Sequence, residues 1–136
     1  MTRRRSPGEK AVLLNYGLTC RSLLKPWPWH ILITEDLEVA AVGPSLKRWD
    51  PSLKHLGGRG RGSVALENVA KVVRPKLPKG FDFDYLMSRC SVPFVLKLVA
   101  RGAGGTQSIK LEGQLQVVQE PGKKMGLLFL AHPQVS

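Results

Sequence analysis

Histidines, cysteines and close carboxylate pairs are the residues of this chain that could carry chemistry. A metal or hydrolytic centre would need them at ligand spacing, such as H-x-x-x-H or C-x-x-C. His30, His55 and His132 are instead scattered, and each reads as a surface or hydrogen-bonding residue. Cys20 and Cys90 are equally far apart and read as reduced thiols. Glu35 with Asp36 suits a turn, and Asp82 before Asp84 suits a helix start. No Ser, Cys or Lys lies in a nucleophile motif. The run GGRGRG at 57–62 lacks the Lys-Ser/Thr ending of a phosphate-cradling loop. The sequence therefore predicts no catalytic residue, metal or cofactor, and a protein that is not an enzyme.

Charge is the next signal. Lys and Arg number 21 against 10 Asp and Glu, a net +11, which favours polyanionic partners such as nucleic acid, an anionic membrane face or an acidic protein. No nucleic-acid-binding motif accompanies it, and scattered surface cations give the same total. The start resembles a leader only in its arginines, because the apolar run Ala11–Leu14 is broken by Asn15 and no cleavage site follows. No stretch approaches the ~18 apolar residues of a membrane span. These features predict a cytoplasmic protein.

The elements that must position these residues follow in chain order. Val12, Leu13, Tyr16, Cys20, Leu23 and Leu24 recur every three or four residues, predicting an amphipathic helix over 9–25 that Pro26 and Pro28 stop. Three roles are open to it: docking on its own sheet, packing on a second copy, or lying on a membrane. Ile31–Thr34 and Leu37–Val42 predict a hairpin turning at Glu35-Asp36. A short helix follows from Pro44 or Ser45, interrupted at Asp50-Pro51. Ser63 is placed to cap a helix over Val64–Arg74, with Leu66, Val69, Ala70 and Val73 on one face and Pro75 ending it. Asp82 starts another short helix. Phe94–Ala100 alternates as a strand. Ile109, Leu111, Leu115 and Val117 alternate with polar residues in the next, where Gly113 on the apolar parity predicts a close approach by a helix or a bulge. Met125–Ala131 is apolar on both parities, so it belongs at the centre of the sheet or under a second element. The sum is a 136-residue α+β chain in which residues 1–26 form a basic segment with the amphipathic helix. Residues 27–136 form the domain, an antiparallel sheet of about five strands with short helices on one face.

Several marks, in this order, carry a family resemblance. They are Trp27-Pro28-Trp29-His30 before the first strand, Gly43 before a short helix, Val73-Arg74-Pro75, the run FDFDYLMSRCSVPFVL that delivers Phe94, LEGQL around Gly113, and LLFLAHPQV at 127–135. Over residues 27–136 the chain resembles the PAS-like domain associated with haem-nitric-oxide-binding (H-NOX) proteins, found in soluble guanylate cyclases and bacterial histidine kinases. It departs in the position of its acids at Glu35-Asp36, in the basic loop at 57–62 and in Ala70, where an aromatic is common. The resemblance implies a PAS-like fold that binds no haem itself. Such a domain dimerises and relays a signal from a haem-nitric-oxide sensor to a cyclase or kinase effector.

On that footing the expected partner is a second copy or a related PAS-like domain, held through Val12, Leu13, Tyr16, Leu23 and Leu24 together with apolar positions on the sheet. An H-NOX, kinase or cyclase chain would stand beside it. Two other readings compete. A PAS-like core could hold a small molecule in a cavity lined by Phe83, Leu86, Phe94 and Leu115, and a basic chain could bind nucleic acid. The sequence leaves open whether the chain is a stand-alone partner or a piece of a longer signalling protein.

Overall fold

The computed structural model describes residues 12–13, 27–53, 56, 64–76, 82–102, 105–119 and 125–134. In chain order the elements are strand β1 (Val12–Leu13), strands β2 (Ile31–Thr34) and β3 (Glu38–Val42), helix α1 (Pro44–Trp49) with a 3-10 turn at Pro51–Leu53, and strand β4 (Val64–Ala65). Helix α2 (Leu66–Val69), strand β5 (Ala70–Arg74), helix α3 (Phe83–Ser88) and strands β6 (Phe94–Gly102), β7 (Gly105–Gln119) and β8 (Met125–Pro133) follow. The sheet runs β4-β3-β2-β8-β7-β6-β5, antiparallel throughout, with β1 added parallel to β7.

The hairpin forms as its residue types dictate. β-branched Ile31 and Ile33 pair with Val42 and Val39, and the turn closes with Leu37 in the left-handed region at φ 59°. Glu35 ties this turn to the start of β8, its Oε1 accepting from the Met125 backbone N–H at 3.0 Å. β8 is apolar on both parities because it is central: Leu127 and Phe129 face the helices, and Leu128 faces the other way. One core fills the space between sheet and helices. Ile31, Ile33, Phe94, Leu96, Leu98, Leu111, Leu115 and Phe129 come from the strands, and Leu46, Leu53, Leu66 and Leu86 come from the helical segments. Asp82 caps α3, accepting from the Asp84 N–H at 3.0 Å. Asp50 caps the 3-10 turn, accepting from the Ser52 N–H at 3.1 Å and hydroxyl at 2.7 Å.

Three expectations are corrected. The chain is mostly β, with seven antiparallel strands in one path rather than about five. The expected helix over Val64–Arg74 is only the single turn α2, and Ala70–Arg74 is an edge strand on β6. Val72 and Val73 suit a strand, and the free edge of β6 offers their backbone a ladder that outweighs a weak helical spacing. Val12 and Leu13, expected in a helix, pair as a strand with Val118 and Gln119. The rest of the expected helix over 9–25, including Tyr16, Cys20, Leu23 and Leu24, lies outside the described residues, as do His55 and the 57–62 loop.

Gly113 is approached by a neighbouring strand rather than by a helix. A Cβ there would collide with the Leu130 carbonyl of β8, so the alanine variant must push β7 and β8 apart. Gly113→Ala is expected to cost about 1–3 kcal/mol, as overpacking does. Phe129→Ala, which empties the middle of the core, is expected to cost about 3–5 kcal/mol. Urea unfolding midpoints check both, and a wild-type midpoint for Gly113→Ala would contradict the close approach.

Candidate interaction surface

The aromatic motif ahead of β2 straddles the sheet. Trp29 packs against the main core, whereas Trp27 packs on the opposite side against Leu32, Leu130 and the buried pair Val118 and Leu128. The backbone between them is held by its own turn. The His30 N–H donates to the Trp27 carbonyl at 3.1 Å, Gly43 N–H donates to His30 O at 2.8 Å, and Ser45 N–H donates to Pro28 O at 3.0 Å. Gly43 has to be glycine, because a Cβ would strike the Pro28 carbonyl. The motif thereby fastens the start of α1 to the start of β2.

His30 is the buried centre of this knot, with its Nδ1 2.9 Å from the Trp27 carbonyl. That bond requires a proton on Nδ1, since the carbonyl only accepts. Burial holds its pKa below the ordinary 6.5; the Trp27 carbonyl pulls the other way, and the Lys47 charge adds to the lowering. Among the described residues no group of three His, Cys, Asp or Glu could hold a metal ion. Cys90 is half-buried behind α3, with its Sγ 4.0 Å from the Leu86 carbonyl. Burial pushes its thiol pKa up, and a hydrogen bond from the Val117 backbone opposes this.

The face of the sheet away from the helices carries the features that could meet a partner. Its apolar part is the cluster of Trp27, Leu32, Val118, Leu128 and Leu130. Beside it lies a groove of about 420 Å³ lined by Trp27, Pro93, Glu112, Gln114, Leu130 and His132. β6 stops opposite Gly113, and beyond that point the edge of β7 is taken up by β1 at Val118 and Gln119. Residues 12 and 13, expected at a dimer contact, therefore lie against this end of the sheet. Val73, Arg74 and Pro75 lie at the end of edge strand β5, with Val73 39% exposed and Arg74 exposed. Phe94 is fully buried opposite Gly113, in the core rather than on a surface.

The cavity expected to be lined by Phe83, Leu86, Phe94 and Leu115 is nearly filled. Leu86, Phe94 and Leu115 do converge there, with Ile33, Leu66, Leu96 and Phe129. The space left is about 10 Å³, enough for one water at most. Phe83 packs against the same core without lining that space. Sequence reading missed the second apolar cluster, although the double parity of β8 and the Val117-Val118 doublet are its trace.

Fold and surface together define a small, basic, mostly β domain with no catalytic constellation among its described residues. No helix among them is long and apolar enough to cross a membrane. Comparison with known families is more specific: residues 16–104 match the family described as heme NO binding associated. The match covers more than half of the chain, and the chain belongs to this family. Membership associates it with haem-nitric-oxide-sensing signalling of the H-NOX type, in a family of associated regulatory domains that are not themselves catalytic. No curated protein matches the chain.

The buried histidine has a consequence in solution. With its folded pKa below 6.5, His30 is protonated more readily in the unfolded chain. Its contribution is therefore intact above pH 6.5 and lost as pH falls from there through the folded value. His30→Gln is expected to melt below wild type at pH 7.5, with the gap narrowing by pH 5. A gap that stays constant across that range would contradict a buried neutral imidazole.

Proposed function

We propose that the chain is a non-catalytic, cytoplasmic signalling and dimerisation module with a PAS-like core. It relays between a haem-nitric-oxide sensor and an effector of the guanylate cyclase or histidine kinase type. Residues 27–136 are the domain and residues 1–26 the arm that helps it pair with a second copy or a related domain. The PAS-like assignment is supported by the central run β3-β2-β8-β7-β6, an antiparallel platform whose helical segments, among the described residues, fall between β3 and β6 and share one core.

The observation that carries the relay reading is the two-sided motif at Trp27–His30. One tryptophan reads the core and the other reads the outer cluster. A partner seated on Trp27, Leu32 and Leu130 would thus press on the segment that anchors α1. The space among Leu86, Phe94 and Leu115, at about 10 Å³, is far below the roughly 300 Å³ that a small-molecule site needs, which favours relay by contact at that place.

Light scattering on the full chain at high micromolar concentration tests the proposal. Wild type is expected to be a dimer. Leu32→Glu with Leu130→Glu, two half-buried positions on the outer cluster, is expected to raise the dissociation constant at least 10-fold while the circular dichroism spectrum stays that of the folded sheet. A monomeric wild type, or a double variant that dimerises as wild type does, would refute it.

A further inference from the structure

The pairing register sets Lys71 directly opposite Lys97 and Lys97 directly opposite Lys110. Directly opposed residues in antiparallel strands share a face, so three ammonium groups form a row across β5, β6 and β7. Their parity is opposite to that of their neighbours Leu96, Leu98 and Leu111, which point into the core, and Lys71 and Lys97 border a pocket that Asp50 and Glu67 also line. All three lysines are exposed. Arg74, opposite Val95 in the next row, adds a fourth exposed cation. Like charges placed directly opposite one another weaken a sheet. Nothing in the core requires lysine at these exposed positions, and a local conflict of this kind marks a functional surface.

We propose that this lysine ladder docks an acidic α-helix of a partner protein, laid across the strands. Neighbouring strands lie about 4.8 Å apart, so the row advances in steps of about 5 Å and spans about 10 Å. Acidic residues at i, i+3 or i+4, and i+7 of a helix advance by about 4.5–6 Å and span about 10.5 Å at 1.5 Å per residue. An extended strand offers same-face residues every 6.6 Å or so, which drifts out of step with the row. Single-stranded nucleic acid would want an aromatic platform, and a membrane would want apolar side chains to insert. Among the described residues the exposed large hydrophobic side chain is Val73 alone, which supplies neither. The net charge of +11 would steer an acidic partner towards the face. This surface occupies the β5–β7 side of the sheet and does not depend on pairing through the Leu32 and Leu130 cluster.

The test uses the full chain and a fluorescein-labelled alanine-based helical peptide carrying glutamates at i, i+4 and i+7. A permuted peptide of the same composition, with its glutamates spread around the helix, is the comparison. Fluorescence anisotropy is expected to show the striped peptide binding at least 10-fold more tightly than the permuted one. Affinity should fall steeply between 50 and 300 mM salt. Lys97→Gln should weaken binding about 5-fold and the triple Lys71→Gln, Lys97→Gln, Lys110→Gln variant should abolish it. Because the substitutions relieve repulsion, both variants should melt at or about 1–3 °C above wild type, which separates lost docking from lost folding. Equal binding of the two peptides, or an unchanged affinity in the triple variant, would overturn the proposal. So would tighter binding of an RNA oligonucleotide or of phosphatidylserine vesicles that the same triple variant abolishes.

Discussion

The pairing of β2 with β8 is the interaction on which the rest of the structure depends. Ile31 lies opposite Phe129, Leu32 opposite Leu128 and Ile33 opposite Leu127. Through these pairs an early hairpin and a late three-stranded meander become one sheet. Without the seam, each half would expose an apolar edge, and neither could bury its hydrophobic face alone. Each of the two β8 parities meets a different layer, the helices on one side and the Trp27 cluster on the other. That double demand explains why the strand is apolar without alternation.

Much of this was legible in the residues. The hairpin, the Asp82 cap, the alternating strand around Leu111 and the central place of β8 all follow from local pattern, because each rests on a turn residue or a strict periodicity. Two elements were not. Val69–Arg74 carries both a helical spacing and a β-branched run, and the free edge of β6 decided between them; no property of the segment itself does so. Val12 and Leu13 fit a helical stripe equally well and take a strand only because β7 outruns β6. The candidate surface was legible in part: the Trp27–His30 motif was visible, but its division between two faces was not. The lysine ladder is invisible in sequence, since Lys71, Lys97 and Lys110 meet only through register.

The two faces of the sheet divide the labour of the domain. Beneath the helices, the space where Leu86, Phe94 and Leu115 meet is filled to within a water's volume. The outer face is apolar towards β2 and β8 and basic towards β5 and β7. The two parts ask for different things from whatever touches them, the first for shape and burial and the second for negative charge. Trp27–His30 touches both layers, Trp27 on the outer cluster and Trp29 on the core beneath.

The central position of β8 also sets a timetable. A ribosome releases the hairpin strand β2 early, yet the strand that covers its edge is the last of the sheet to be made. At ordinary elongation rates of about 5–20 residues per second, the nascent hairpin waits several seconds with Ile31, Leu32 and Ile33 uncovered. The sheet therefore closes only once β8 has been made, and until then an apolar strand edge stands open to wrong pairing.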